Sequence, residues 1–378
     1  MKVAIAGLGF GAEFIPIYQA HPDAELVAIC QRTEASLNQI GDHFGVPNRY
    51  STFEALLQDP DVDAVHINTP IPDHADQSIA ALEAGKHVAC TVPMATTLDE
   101  CRRVVDAAHA SGKNYMMMET VVYSREFLHV QELIAQGVIG RLQFLRGAHH
   151  QDMAGWPGYW EGLPPMHYAT HAISPLLALA GGLAEQVVCL GSGRISSDFT
   201  SKYGSPFAVE SALVKVRGSD LSAEISRSLF DTAREYVESF SVYGDRASFE
   251  WQQTQDGEHV LFRGEDAQAL AVPDYADRLP APIRPYTTSG VYDDANEHLS
   301  FTQGSGHGGS HPHLAHEFVR SIVEVRPPAI DEVTAANWTA AGLCAHDSAM
   351  AGGVPVDLPD FGRTRAPQAD PRARTIVR

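Results

Sequence analysis

The sequence predicts an α/β chain: a doubly wound parallel sheet at the N-terminus, then an α+β unit built on a large, mostly antiparallel, open-faced sheet. Three observations carry this. Short β-rich runs alternate with helical patterns from Met1 to about Glu119, a glycine-rich turn follows the first of those runs, and beyond residue 140 the strands lengthen and join through turns more often than helices. At 378 residues the chain is long enough for two units that each bury a core. The expected division is 1–122 for the first domain, 123–362 for the second and 363–378 for a flexible, Pro-containing basic tail.

In the first unit the predicted strands are Val3 to Ala6, Leu26 to Cys30, Ala64 to Ile67, His87 to Cys90 and Tyr115 to Met118. Helical patterns lie between them around Phe14 to Ala20, Glu34 to Phe44, Ala75 to Ala84 and Leu98 to Ala110, with Gly85 and Gly112 placed to end two of them. A helix near Glu126 to Gln136 closes at Gly137 and Gly140. The second unit's strands are predicted at Leu142 to Ala148, Val187 to Gly191, Ser211 to Val216, Ser222 to Ser226, Glu238 to Tyr243 and Ser248 to Trp251, and two helices, Leu314 to Val323 and Val333 to Ala351, finish it. The passage from Val272 to Gly309 is too long for an ordinary loop, and its aromatics favour a functional segment over a disordered one.

Composition narrows the partners. With 27 Lys and Arg against 47 Asp and Glu, the formal charge of -20 repels a phosphate backbone, and no basic stripe of useful length offsets it, so small molecules are expected and nucleic acid is not. The five cysteines form no C-x-x-C pair, which predicts reduced, buried fillers. The chain opens directly on a strand and holds no apolar run long enough to span a bilayer, so a cytoplasmic protein without membrane contact is expected.

The first strand runs into Gly7-Leu8-Gly9-Phe10-Gly11-Ala12, a G-x-G-x-x-A turn. The first glycine permits the tight turn, the second lets backbone approach a pyrophosphate, and the small third residue lets helix and strand pack. After a strand and at the head of a βαβ series, this is the signature of a Rossmann dinucleotide-binding domain. Where the second strand ends, Gln31 offers a hydrogen bond to a ribose hydroxyl, while Arg32 suits a 2′-phosphate or stacks on adenine; NAD and NADP both stay open.

From that turn onward the chain resembles the Gfo/Idh/MocA oxidoreductases. The segments that carry the resemblance are Asp63-Ala64-Val65-His66-Ile67-Asn68-Thr69-Pro70 with His74, Ala84-Gly85-Lys86-His87-Val88, Pro93-Met94-Ala95, Glu119-Thr120-Val121-Val122-Tyr123 and Gly137-Val138-Ile139-Gly140, with a looser match at Val242-Tyr243-Gly244-Asp245. The resemblance implies a nicotinamide cofactor held by the glycine turn, Asn68, Thr69, Pro70, His74, Thr91, Val92, Pro93 and Glu119, and it implies a homo-oligomer, dimer or tetramer. It places Tyr123 near the substrate. Family members commonly carry Glu-Lys-Pro after the fifth strand; this chain has Thr91-Val92-Pro93, and valine has no proton to exchange. The family's second motif, an Asp, a His four residues on and an Asp three further, finds its best match in His167 to Ser174, which keeps the histidine at His171 and changes both acids. His171 is therefore the expected proton acceptor and His167 its helper. Ser174-Pro175 reads as a cap with a first-turn proline, so the residues before it are expected to be irregular.

Trp156, Tyr159 and Trp160 offer apolar faces for a pyranose, with aromatic core packing as the alternative. The run Gly304-Ser305-Gly306-His307-Gly308-Gly309-Ser310-His311-Pro312-His313 reads as a substrate-covering loop, with His311 its expected sugar contact, or as a plain polar start to a helix. No H-E-x-x-H or comparable spacing supports a metal, and none is expected. The leading expectation is NAD(P)-dependent oxidation of a secondary hydroxyl of a sugar or glycoside at C3, similar to the glycoside 3-dehydrogenases of that superfamily. The alternatives are an NAD-dependent glycosidase working through transient oxidation and elimination, and a non-catalytic dinucleotide or sugar sensor.

Overall fold

The computed structural model describes residues 1–200, 203–288 and 307–362. The expected tail, 363–378, and the Gly304 to Gly306 part of the expected substrate loop lie outside the described residues.

The N-terminal sheet has six parallel strands: β1 (Lys2–Ala6), β2 (Glu25–Cys30), β3 (Asn48–Tyr50), β4 (Ala64–Ile67), β5 (His87–Thr91) and β6 (Tyr115–Met118), in the order β3-β2-β1-β4-β5-β6. Strands β1, β4 and β6 are apolar at nearly every position because helices cover both faces, which removes the need for alternation. The helix Leu98–Ser111 starts with a capping box between Thr97 and Glu100 and stops at Gly112 in the left-handed conformation, so its free backbone groups are met at both ends. Strand β3 was not foreseen: three polar residues at a sheet edge carry no hydrophobic period. The helix expected around Phe14 to Ala20 is present as Ile15–Ala20, and two short turns, Leu8–Gly11 and Ala12–Phe14, lead into it.

The second sheet has nine strands in the order β14-β13-β12-β11-β7-β10-β9-β8-β15. Their ranges are β7 Leu142–His150, β8 Ala184–Ser192, β9 Val209–Val216, β10 Ser222–Ser228, β11 Val237–Gly244, β12 Ser248–Glu250, β13 His259–Arg263, β14 Asp266–Leu270 and β15 Val356–Asp357. All pairs are antiparallel except β7 with β10. Strand β9 alternates buried and exposed residues as a sheet with one covered face must. Its open side carries Leu213 and, from β8, Leu190, both more than half exposed.

The covered face holds an unusual row. Register pairs Glu210 of β9 with Arg227 of β10, Arg227 with His149 of β7, and His149 with Glu238 of β11. Residues directly opposite share a face, so four ionisable side chains in line cross the middle of the sheet under the helix Thr170–Ala180. Gly147 of β7 admits that helix: a Cβ there would lie 2.3 Å from the Ala172 carbonyl oxygen. The helix corrects the expected cap at Ser174. It begins at Thr170 after Ala169 and runs through Pro175, whose ring forfeits only the hydrogen bond to the His171 carbonyl, in the first turns.

The helix Glu332–Met350 crosses from β8 to the N-terminal unit, where Thr339 Oγ1 accepts from the Met94 amide at 3.3 Å. All five cysteines are free and buried. Among the described residues no helix is long and apolar enough to cross a membrane.

Candidate active site

The carboxyl ends of the parallel strands open into a cavity of about 520 Å3 that reaches across to the second sheet. Its nucleotide end is lined by Gly7, Gly9, Phe10, Gln31, Arg32, Asn68, Thr69, Pro70, His74, Thr91 and Val92. Gly7 sits at φ 85 with its Cα against Asn68: a Cβ would meet the Asn68 carbonyl oxygen at 2.4 Å, so no other residue fits. The cap residue Gly7 has no side chain to meet the start of Leu8–Gly11, and apart from the Leu8 N–H, which Gln31 takes, the backbone N–H groups of that first turn are left for a ligand anion. A dinucleotide fits this cradle. Among the expected cofactor residues, Leu8 turns into the core and ties the turn to β2 through its N–H on Gln31 Oε1 at 3.2 Å, and Gly11 packs helix against strand. Pro93 does not line the cavity; its carbonyl takes one nitrogen of His74 at 2.8 Å, and the Thr69 carbonyl takes the other at 2.8 Å. Carbonyls only accept, so both nitrogens carry protons. Burial alone would lower His74, but Cys90 and these two carbonyls outweigh it and raise it to about 9.

The opposite end is made of side chains. His171, in the first turn of its helix, is 2% exposed and lines the cavity. Its Nδ1 donates to Glu119 Oε1 at 2.7 Å, and its Nε2 lies 3.2 Å from the Tyr168 hydroxyl. Burial would lower this imidazole, yet the carboxylates of Glu119 and Glu238 prevail and hold it above its ordinary value. Glu119 is thus corrected from a cofactor contact to the partner that orients His171: it leaves β6 fully buried and does not line the cavity.

Three further expectations are corrected. His167 lies in the separate turn Pro165–Tyr168, outside the cavity, its ring edge-on to His346 at 4.9 Å and pushed down to about 3 by burial, so it cannot help His171. Tyr123 ends a turn that faces Glu317 and Arg326 rather than the cavity. His311 is 3% exposed behind the glycine turn, its Nδ1 on Glu13 Oε2 at 2.6 Å, because it opens the helix His311–Val323 that packs on Ala12–Ala20. The neighbouring His307 reaches the cavity instead. Trp156, Tyr159 and Trp160 do line it; Trp160 is 6% exposed and its ring packs edge-on to Tyr168 at 4.8 Å, while Trp156 and Tyr159 are half-buried.

Sequence reasoning missed Glu238, Tyr236, Tyr168, His307 and Arg227. The Glu238 side chain, 9% exposed, lies 3.7 Å from His171 Nε2, 3.9 Å from His149 Nε2 and 3.1 Å from His307 Nδ1, and it accepts from the Tyr236 hydroxyl. Arg227, fully buried, donates to the carbonyls of Tyr168 at 2.8 Å and His149 at 3.0 Å, which pins the turn before His171 to the sheet. His149 is fully buried with neither ring nitrogen hydrogen-bonded, and burial together with Arg227 holds it well below its ordinary value, hence neutral. For Glu238 and Arg227 the signal was charge inside strands of alternating character, which register turns into a site, whereas His307 stood beside His311 in one histidine run.

Comparison with known proteins followed the same division. The family described as "Oxidoreductase family, NAD-binding Rossmann fold" (GFO_IDH_MocA) matches residues 1–119. A Glycosyl hydrolase family 109 protein of Shewanella baltica is 36% identical over 173 residues, 40% of this chain; the chain spans only 38% of that relative's length. One of Saccharopolyspora erythraea is 25% identical over 97% of this chain and 84% of its own length. In fold, the chain is similar to levoglucosan dehydrogenase in complex with NADH and levoglucosan, with a TM-score of 0.76 at 20% identity over 95% of this chain and 100% of the other. Scyllo-inositol dehydrogenase from Lactobacillus casei gives 0.70 at 18% identity, over 94% of this chain and 98% of the other.

Proposed function

From the match of residues 1–119 to the NAD-binding Rossmann fold of the Gfo/Idh/MocA oxidoreductase family, we propose that the chain oxidises a secondary hydroxyl of a sugar or glycoside, at C3, to a ketone. The observation that carries this reading is one cavity that takes in both the Gly7–Gly9 turn and the His171 imidazole. NAD, when bound, would take up the hydride lost from the carbinol carbon. Gly7, Gly9, Phe10, Asn68, Thr69 and Pro70 would hold it, with Gln31 and Arg32 at the ribose.

The rest is the work of this chain's side chains. With valine at position 92, where the family commonly carries its lysine, His171 is the base in this reading. Its Nδ1–H stays on Glu119, which fixes the tautomer with Nε2 free of its proton, so Nε2 receives the hydroxyl proton directly or through the Tyr168 hydroxyl. Glu119 then stabilises the imidazolium. Trp156 and Tyr159 offer the sugar an apolar wall, and Gln151 and Tyr236 offer polar groups for its hydroxyls.

The test is cofactor reduction at 340 nm over a panel of p-nitrophenyl α- and β-hexopyranosides, with mass spectrometry for the keto-sugar. Tight NAD binding with neither an absorbance change nor release of p-nitrophenol on any of them would leave a sensor as the better account. A second reading, an NAD-dependent glycosidase in which the oxidation is transient, is favoured by the similarity to Glycosyl hydrolase family 109 proteins over nearly the whole chain. Release of p-nitrophenol over many turnovers without added NAD selects it; one reduced cofactor per keto-sugar selects the dehydrogenase.

A further inference from the structure

Removing one hydroxyl proton takes one base, yet two imidazole–carboxylate pairs face this cavity. The first is His171 with Glu119. In the second, His307 Nδ1 donates to Glu238 Oε2 at 3.1 Å, with Thr120 Oγ1 at 3.4 Å from the same nitrogen, and among the described residues Nε2 has no partner. The two rings stack at 6.0 Å with planes 26° apart, and both line the same part of one cavity. They come from unrelated parts of the chain: Glu119 and His171 follow β6 and open a helix, whereas Glu238 projects from β11 and His307 precedes the helix His311–Val323.

We propose that His307, oriented by Glu238, is a second proton acceptor, which takes the C–H proton beside the new ketone and commits the bound sugar to elimination. This rests on the reading that a keto-sugar forms in the cavity. The ketone at C3 acidifies the C2–H bond. That bond breaks, its proton goes to His307 Nε2, and its electron pair becomes the enolate. The enolate re-forms the ketone as the C1=C2 bond is made, and the C1 substituent leaves with the electron pair of its C–O bond and takes the proton from the imidazolium. Addition of water to C1=C2, with return to C3 of the hydride a reduced nicotinamide would hold and to its oxygen of the proton kept on His171, completes a net hydrolysis with no external oxidant.

Of the two members of the pair, the imidazole is the proton carrier. Burial alone would raise the Glu238 carboxyl, but His171 and His307 outweigh it and hold it well below the usual carboxylate range, which makes it a poor base for carbon and a good anchor for an imidazolium. His307 also lines a second cavity of about 300 Å3 on the far side of Tyr236 and Glu238. A proton taken on one side can therefore exchange with solvent on the other.

The probe is a synthetic methyl 3-keto-glucopyranoside, given to the full-length protein in D2O and followed by proton NMR at C2. It bypasses the oxidation and needs no cofactor turnover. Wild type should exchange the C2 proton well above the buffer rate. His307→Gln should slow exchange by about 100-fold or more, the usual contribution of a general base, whereas His171→Ala should slow it less than about tenfold. NAD affinity, read by tryptophan fluorescence, checks the fold of each variant. Should His307→Gln lose that affinity, Glu238→Gln decides: slowed exchange supports the proposal, and exchange at the wild-type rate overturns it. Wild-type exchange no faster than buffer, an unslowed His307→Gln, or equal losses in the two histidine variants also overturn it. Cofactor reduction without exchange removes only this proposal, while exchange with neither cofactor reduction nor release of the C1 group from any unoxidised glycoside removes the oxidation reading.

Discussion

The two ends of the cavity are made of different materials. At the nucleotide end the recognition surface is largely backbone: a turn whose glycine no side chain could replace, a helix start left uncapped, and carbonyls that hold one imidazole on both nitrogens. At the sheet end it is a knot of buried acids and bases: Glu119 holds His171, Glu238 holds His307, and Arg227 is met by the Tyr168 and His149 carbonyls. Backbone binds a pyrophosphate in one way and is indifferent to the rest of the substrate. A knot of titratable groups sets proton affinities and changes its chemistry when any member changes. The contrast teaches that affinity for the cofactor and choice of reaction are separable in this molecule.

Substitutions at each end can sharpen or break that separation. The largest effect is expected from His171→Ala, which should cut the rate of cofactor reduction by about 10²–10⁴-fold while NAD affinity by fluorescence stays within about threefold; a parallel loss of affinity would show the ends to be coupled. Next comes the one buried cation of the backbone end. His74 is raised from 6.5 to about 9, so its contribution to stability, roughly 3 kcal/mol, is fully present below pH 6.5 and fades as pH rises through 9. Urea denaturation of wild type should show that loss between those values, and His74→Gln should not. Gly7→Ala places a Cβ against Asn68 at positive φ and should cost about 1–3 kcal/mol of stability together with most of the NAD affinity, by the same denaturation and fluorescence assays. Smaller again, Arg32→Ala should weaken NAD by about 2–10-fold, the worth of one hydrogen bond, in the same titration. The least is a shift rather than a loss. The acid limb of the oxidation rate should lie above the ordinary imidazole value because His171 is raised, and Glu119→Gln should move it to lower pH; a limb that stays put would detach Glu119 from the chemistry.

The same contrast explains what the chain's letters disclose. Gly7, Gly9 and Asn68 to Pro70 were legible because a phosphate-binding turn is local: its residues are neighbours in sequence and their types follow from backbone geometry. His171 was found only through family spacing, and that spacing misled at His167, because the turn Pro165–Tyr168 carries His167 off toward His346. His311 was preferred to His307 since both stand in one histidine run, and only the start of the helix at His311 decides which of them is walled in behind Phe10. Glu238 and Arg227 could not have been found by spacing at all. They are brought together by the register of β10, β7 and β11, in which the parallel pairing of β7 with β10 is the one departure from an antiparallel sheet.

That row of Glu210, Arg227, His149 and Glu238 has a consequence for how the sheet assembles. A slip of one residue in β9 or β10 would turn Glu210 or Arg227 to the outer face, leaving unmet the buried groups they hold, the Met166 amide and His346 for Glu210 and the Tyr168 and His149 carbonyls for Arg227. Misaligned sheets are thereby penalised beyond their lost hydrophobic contacts, and the buried side chains around His171 double as the ruler against which their own scaffold is aligned.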